Sequence, residues 1–337
     1  MQKEFKCILC GSKFGKVVIN SIKSKEYNLP FSLYQCKKCG LIHTYPKLEA
    51  KDLKWLYSES YYGETERETF LKNRIVGKII NRISCFLLKR RVQRVSLGRC
   101  QGRILDLGCG SGRLLVLFLE KGWEVYGVDI SKAACISTKK KVGKNVFCGE
   151  LEDQNFPSDF FDMVILWHVI EHIPDPRKVL KEIRRILKKD GILVLALPNI
   201  ESLQFKIFRK YWFPLDVPRH LYHFSPRTIK RLLELSGFDV VKLRNPRLEV
   251  LLSPFYSTLK ALTAVLNIKD FKLYYCQNRK KSLRILYLVL ATIFLPFLLV
   301  FFQLVLLFLP NKGETLEIYC KKKLYSIVDN DLLEKLD

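Results

Sequence analysis

An aspartate stands ahead of alternating glycines in this chain, Asp106-Leu-Gly108-Cys-Gly110-Ser-Gly112, between a strand-like GRILDL and a helix-like LLVLFLEKG. Glycines at that spacing let a ligand approach the backbone closely, and the following helix start offers unpaired N–H groups. A second acid, Asp129, ends the strand-like run WEVYGV. Its distance from the glycine turn is what a strand–helix–strand unit requires, and an acid at that strand end is placed to hold two ribose hydroxyls. Two C-x-x-C pairs, Cys7/Cys10 and Cys36/Cys39, are each followed by a turn-permitting glycine, Gly11 and Gly40. Four thiolates so spaced suit tetrahedral Zn²⁺ with no ligand position left open, which points to a structural zinc in a ribbon or treble-clef module rather than a catalytic one.

The glycine spacing separates two kinds of nucleotide ligand. Nicotinamide sites use G-x-G-x-x-G to bring a helix N-terminus against a pyrophosphate. Here the pattern is G-x-G-x-G, and Asp106 two residues ahead of it would repel a pyrophosphate. An acid there suits a cationic ligand carrying an amino group, as S-adenosylmethionine does.

The elements that must position these residues follow in order. After Asp129 come a short strand at Asn145 to Cys148, the segment Gly149-Glu150-Leu151, and a strand at Phe161 to Leu166. Asp175-Pro176 reads as a helix N-cap with proline in the first turn, and KVLKEIRRILKKDG as a basic amphipathic helix stopped by Gly191. Ile192 to Leu197 is a fifth strand, Thr228 to Gly237 a helix, Phe238 to Leu243 a sixth strand, and Glu314 to Lys321 a closing seventh. Strands and helices alternating in this way specify a doubly wound, Rossmann-like α/β sheet.

Ile104 to Gly112, Val128-Asp129, Gly149-Glu150, Phe161-Asp162-Met163-Val164 and Glu171-His172-Ile173-Pro174-Asp175-Pro176 resemble the successive motifs of class I S-adenosylmethionine-dependent methyltransferases, in particular the type 11/23, ubiquinone-methyltransferase-like group. The resemblance covers about residues 100 to 245. It implies that Asp106, Gly108 and Gly110 face the methionine end of the donor, that Asp129 holds the ribose, and that Glu150 and Leu151 bracket the adenine, with Gly112, Ile130 and Trp167 completing the donor-binding set. Many members of the family have Asp where Glu150 stands. The paired C-x-x-C with CGLIHTYP resembles a zinc-binding domain that precedes such enzymes in sugar and surface-polysaccharide pathways, and implies Cys7, Cys10, Cys36 and Cys39 as structural Zn²⁺ ligands.

Methyl transfer needs in-line positioning, plus a base only where the acceptor is a hydroxyl or carbon acid. His168, after the fourth strand, is the leading candidate base, since that strand end faces the ligand crevice in an open α/β sheet. His172 reads as a helix-start or loop contact. His220 and His223, in PRHLYHFSP, are candidate bases or structural contacts. The sequence Leu166-Trp167-His168 replaces the Asn- or Asp-Pro-Pro-aromatic signature, which argues against a nucleobase amine as acceptor.

Lys and Arg outnumber Asp and Glu 58 to 33, a net charge of +25 that favours a polyanionic partner. From Lys72 to Arg103 there are ten Lys and Arg and no acid, with apolar residues at Ile75, Ile79, Ile83, Phe86 and Leu87. This is a basic helix whose apolar stripe either lies on an anionic membrane or packs on the sheet. Tyr45, Trp55, Tyr57, Tyr61 and Tyr62 read as packing aromatics of a connector, with Tyr61 and Tyr62 able to reach over a ligand. Ile285 to Pro310 has no charge, and Pro296 divides it into arms too short to span about 30 Å of hydrocarbon alone. If the strands on either side of residues 246–312 share one sheet, that segment must leave and return on one face, as a monotopic helical hairpin with its flanking lysines on the cytoplasmic side. Leu248 to Ile268 reads as interfacial. The eleven cysteines, in a chain of this size with no signal peptide expected, suit a reducing cytosol.

The expected organisation is a four-cysteine zinc module (1–46), a connector with the basic helix (47–100), the methyltransferase core (101–245), a hydrophobic membrane-associated insertion (246–312), a closing strand (313–323) and a tail (324–337). The expected activity is methyl transfer to an O or C acceptor on a sugar, glycolipid or other membrane-proximal molecule at the cytoplasmic face of the cell membrane. Partners would be the anionic inner leaflet and a small-molecule or lipid-linked sugar acceptor, with nucleic acid disfavoured. A quinone or lipid O-methyltransferase and an RNA methyltransferase are the alternatives, and a membrane-anchored binding module with a vestigial nucleotide fold is a reading of another class.

Overall fold

The computed structural model describes residues 5–24, 29–48, 74–96, 98, 101–246, 253, 257–258, 260–261, 297, 301 and 312–323. Three strands open the chain, β1 (Gly15–Lys23), β2 (Pro30–Cys36) and β3 (Ile42–Tyr45), followed by helix α1 (Arg74–Val95). Then come β4 (Arg103–Leu107), α2 (Arg113–Leu119), β5 (Glu124–Asp129), α3 (Lys132–Val142), β6 (Val146–Cys148) and β7 (Phe161–Trp167). They are succeeded by α4 (Pro176–Ile186), β8 (Leu187–Pro198), α5 (Leu203–Phe208), β9 (Tyr222–His223), α6 (Pro226–Leu235), β10 (Phe238–Arg244) and β11 (Thr315–Lys322).

One sheet has seven strands in the order β10-β11-β8-β7-β4-β5-β6, so β11 is seated between β10 and β8 as the closing strand. The β4–β5, β4–β7 and β5–β6 pairs are parallel, which brings the ends of β4 and β5 to the same edge of the sheet. This is the doubly wound arrangement expected from the alternation of strands and helices. A second sheet, β1-β2-β3-β9, is antiparallel along its three pairs.

The chain divides into two compact units, each assembled from separate stretches of sequence. The first holds Met1–Leu53, Ala196–Thr228 and Arg244–Glu317; the second holds Lys54–Leu195, Ile229–Leu243 and Ile318–Asp337. In the first, Ile19, Leu33 and Ile42 pack with Ile200, Phe205, Trp212 and Leu215, so the amino-terminal strands share a core with a segment far along the chain. The second unit's core joins Val92 and Val95 of α1 to Leu115, Phe118, Trp123, Met163, Ile165 and Val194.

Local chemistry accounts for the helix starts. Asp175 Oδ1 accepts from the Lys178 N–H and Pro176 occupies the first turn of α4; Ser131 caps α3 through the Ala134 N–H. The expected end of α4 at Gly191 is corrected: the helix stops at Ile186, and Leu187 is already extended. Lys188 Nζ donates to Asp162 Oδ1 at 2.8 Å, and Asp162 Oδ2 accepts from the Arg103 N–H at 2.8 Å, tying this segment to the strands as β8 begins. Gly191 is needed for closeness, since a Cβ there would lie 2.8 Å from the Leu187 side chain.

Among the described residues no helix is long and apolar enough to cross a membrane. The hairpin expected within 246–312 and the aromatic connector expected after Tyr45 lie almost wholly outside the described residues.

Candidate active site

Two strand ends and one tight turn build the site in the second unit. β4 carries Asp106 to the sheet edge, where the chain turns through Gly108, Gly110 and Gly112 at φ of 75°, 51° and 71° into α2. A Cβ on Gly108 would lie 2.5 Å from Val169 Cγ2, and one on Gly112 would lie 2.6 Å from Thr138 Cγ2. Gly112 thus has a packing reason of its own, the close approach of the turn to α3, where Thr138 Oγ1 also donates to Gly110 O at 2.8 Å.

Asp129 ends β5 beside this turn. Its Oδ2 accepts from the Gly110 N–H at 2.8 Å and its Oδ1 from the Ser131 N–H at 2.9 Å. The same residue's carbonyl accepts from the Gly149 N–H at 2.9 Å, which draws Glu150 and Leu151 to the Asp129 side of the site. Leu151 is buried, whereas Glu150 and Ile130 are exposed.

Electrostatics distinguish the two acids. Asp106 is only 4% exposed, and burial pushes its carboxyl up to about 7; the Asp129 charge acts in the same direction and the Arg91 guanidinium opposes both. Burial raises Asp129 too, while its Ser131 and Gly110 N–H donors pull it back. A buried acid poised near neutrality, next to a second acid, is stabilised in its ionised form by a cation placed beside it.

Arg91, on α1, lies beside these acids although no motif marks it. Its guanidinium lies 3.7 Å from the centre of the Trp167 ring, the last residue of β7. The Arg91 charge acts on Asp106 from the face of Trp167, so a cation, an aromatic ring and a buried carboxyl stand in one neighbourhood. The signal was present only as one of ten basic residues; its position beside Val92, on the inward side of α1, is tertiary information.

His168 follows Trp167 in a left-handed backbone conformation, φ 56°. Its Nδ1 is 3.4 Å from Glu171 Oε1, so a buried carboxylate orients an imidazole that is itself partly exposed. His220 and His223 stand in the first unit, both buried. The Thr44 hydroxyl lies 3.0 Å from His223 Nε2 and 2.5 Å from His220 O, and β9 pairs Ile42 with His223. The geometry gives His223 a structural partner.

The first unit holds the cysteines. Cys7, Cys10, Cys36 and Cys39 have all four sulfurs within 4.8 Å of one another, with Cys7–Cys39 and Cys10–Cys36 at 3.5 Å. Sulfurs around a tetrahedral zinc at about 2.3 Å bond length stand roughly 3.8 Å apart, so the set fits the ion. Gly11 and Gly40, at φ 69° and 85°, make the two turns, donating to Cys7 O and Cys36 O. Burial holds the Cys7 thiol above its ordinary range and lifts Cys39 to about 11; for Cys36 burial is outweighed by N–H donors from Cys39 and Lys38, which bring it to about 7. His43, which no motif marks, places its Nε2 3.4 Å from Cys7 Sγ, and its burial, with Lys47 nearby, lowers it to about 4. A neutral imidazole that donates to a ligand sulfur steadies such a site. Glu314 is a further buried acid of this unit. Its buried Oε1 accepts from Trp212 Nε1 at 2.5 Å and from the Ser253 hydroxyl at 2.7 Å, and burial raises the acid to about 7.

Comparison with known proteins matches residues 80–243 to a family model described as a methyltransferase domain. A Mycolicibacterium smegmatis protein named "Probable S-adenosylmethionine-dependent methyltransferase" is 29% identical over 144 residues, 42% of this chain and 54% of the relative. A ubiquinone biosynthesis O-methyltransferase of Alkalilimnicola ehrlichii is 34% identical over 112 residues, 31% of this chain and 44% of that protein. The chain thus spans about half the length of these curated relatives. A solved structure of an S-adenosylmethionine-dependent methyltransferase from Archaeoglobus fulgidus is 22% identical, with 71% of this chain and 94% of that one covered at a TM-score of 0.45. Residues 80–243 match a methyltransferase-domain model, and the chain has the seven-stranded, Rossmann-like sheet of the class I S-adenosylmethionine-dependent fold.

Proposed function

We infer that the protein transfers a methyl group from S-adenosylmethionine to an oxygen or carbon acceptor on a sugar, glycolipid or other membrane-proximal molecule. The observation that carries the donor is the pairing of buried Asp106 with Asp129 at the ends of adjacent parallel strands, around a turn of left-handed glycines. Asp106 would take the donor's ammonium group, Arg91 its carboxylate and Asp129 its ribose hydroxyls, with Gly149 to Leu151 beside the adenine and Ile130 along the edge. The sulfonium supplies its own activation, so this chain's residues bind, orient and exclude water; His168, steadied by Glu171, would remove a proton from a hydroxyl acceptor. Cys7, Cys10, Cys36 and Cys39 would hold a structural Zn²⁺.

Three features support the acceptor class: the uncharged run Ile285 to Pro310, the net charge of +25 and the likeness of the amino-terminal cysteines to those of sugar-pathway enzymes. They favour an acceptor at the cytoplasmic face of the cell membrane. A quinone or lipid O-methyltransferase is the second reading, favoured by the ubiquinone-pathway relative. Calorimetry of the zinc-loaded protein with S-adenosylmethionine is expected to show one site per chain, and folded protein without binding would end the enzyme reading. Transfer of radiolabelled methyl into separated membrane lipid, sugar-nucleotide and RNA fractions identifies the acceptor; label confined to RNA would overturn both membrane-proximal readings.

A further inference from the structure

Helix α1 has two faces with different partners. Leu88, Val92 and Val95 turn inward and join the core of the second unit. Ile83 and Phe86 are 53% and 58% exposed, and Arg82, Lys89 and Arg90, on the same outward side, are exposed with them. The apolar stripe foreseen in the sequence therefore does not pack on the sheet at these positions. The stretch from Lys72 to Arg103 contains no acid to neutralise its ten cations.

We propose that the outward face of α1 docks on an anionic lipid bilayer. Apolar side chains flanked by Lys and Arg, on a helix anchored to a folded domain by its opposite face, match the two terms of interfacial binding: insertion of apolar groups at the acyl boundary and attraction of cations to anionic headgroups. Charge complementarity selects this occupant, because the uniformly basic helix would repel a second copy of itself laid face to face. Arg91 lies on the same helix and stacks on Trp167, so a docked α1 would hold the donor crevice at the lipid surface, a consequence that rests on the donor reading above.

The test is sedimentation of the full, zinc-loaded chain with vesicles of phosphatidylcholine alone or with 30 mol% phosphatidylglycerol. The paired substitution I83D/F86D and the charge reversal K89E/R90E are compared with the unaltered chain, while calorimetry with S-adenosylmethionine reports separately on the donor site. Each variant is expected to lose about tenfold or more in partitioning onto the anionic vesicles. The charge reversal should also reduce the salt sensitivity of binding, and both variants should keep their affinity for donor in the absence of lipid. Equal partitioning of variant and unaltered chains would overturn the proposal, since another part of the molecule would then carry all membrane affinity. A change of oligomeric mass without a change in vesicle binding would overturn it too, assigning the face to a contact between copies.

Discussion

Asp106 carries the sharpest residue-level consequence. An acid lifted to about 7 by burial and by Asp129 is only partly ionised at neutral pH, yet an ammonium ligand prefers the carboxylate. Binding should therefore strengthen as pH rises through 7 and weaken below it, with proton release accompanying binding on the acid side. For a ligand that selects the ionised form, affinity falls about tenfold per pH unit once pH is well below the site's pKa. Calorimetry between pH 6 and 7.5, in buffers of different ionisation enthalpy, is expected to show both effects. Asp106→Asn should bind donor more weakly and lose the pH dependence, and a D106N chain that kept the wild-type profile would remove Asp106 from the site. Arg91→Ala acts in two ways: it takes away the proposed carboxylate partner and, by removing the cation that opposes burial, moves Asp106 further up. Its donor affinity should drop by about one to two orders of magnitude, as for loss of a charge-assisted contact. Its pH midpoint should shift to higher pH.

At the scale of elements, the cysteine turns and β9 belong to one construction although 183 residues separate Cys39 from Tyr222. β3 pairs on one side with β2, which delivers Cys36, and on the other with β9, where Ile42 faces His223 and His43 faces Tyr222. Where the four cysteines hold zinc as proposed, its chelation should loosen β9 along with the cysteine turns. Hydrogen exchange is expected to show loss of protection at 222–223 in step with 30–45 after treatment with a strong chelator, and protection at β9 that survived metal removal would separate the two. His43→Ala should speed zinc loss without abolishing binding, by about ten- to a hundredfold in affinity, as for second-layer partners of other metal sites. These contacts also mark the limit of what the sequence conveys. Asp106, the glycine turn, Asp129 and the succession of strands and helices up to β7 are legible because each is set by local chemistry and a short crossover. Two-residue β9 is not, since PRHLYHFSP reads as a histidine-bearing loop until β3 arrives from far away in the chain. The end of α4 departs from its sequence pattern for a related reason: Lys188 answers to Asp162, a tertiary partner, more than to its own helical propensity.

For the whole molecule, the interleaving of segments predicts what can be removed. Residues 101–245 look self-sufficient by motif, and the family match ends at 243. Yet β11 lies between β10 and β8 in the sheet, so a chain cut after Asn245 leaves two strands facing across a missing one. The same cut deletes Glu314 and with it the acceptor of the buried Trp212 indole N–H, and it removes Gly313 O, which accepts from Asn199 Nδ2 at 2.9 Å. Each buried donor left without a partner costs about 1–3 kcal/mol, and the exposed flanks of β8 and β10 offer unpaired backbone to other chains. Since a domain's entire stability is about 5–15 kcal/mol, these losses together are enough to unfold it. The 101–245 fragment is expected to aggregate or to lack a cooperative thermal transition. A chain that keeps β11 but replaces the segment between Asn245 and Lys312 by a short flexible linker should retain the transition and bind S-adenosylmethionine. Cooperative melting of the fragment alone, by calorimetry or circular dichroism, would mean that the closing strand adds an edge to a sheet already complete without it.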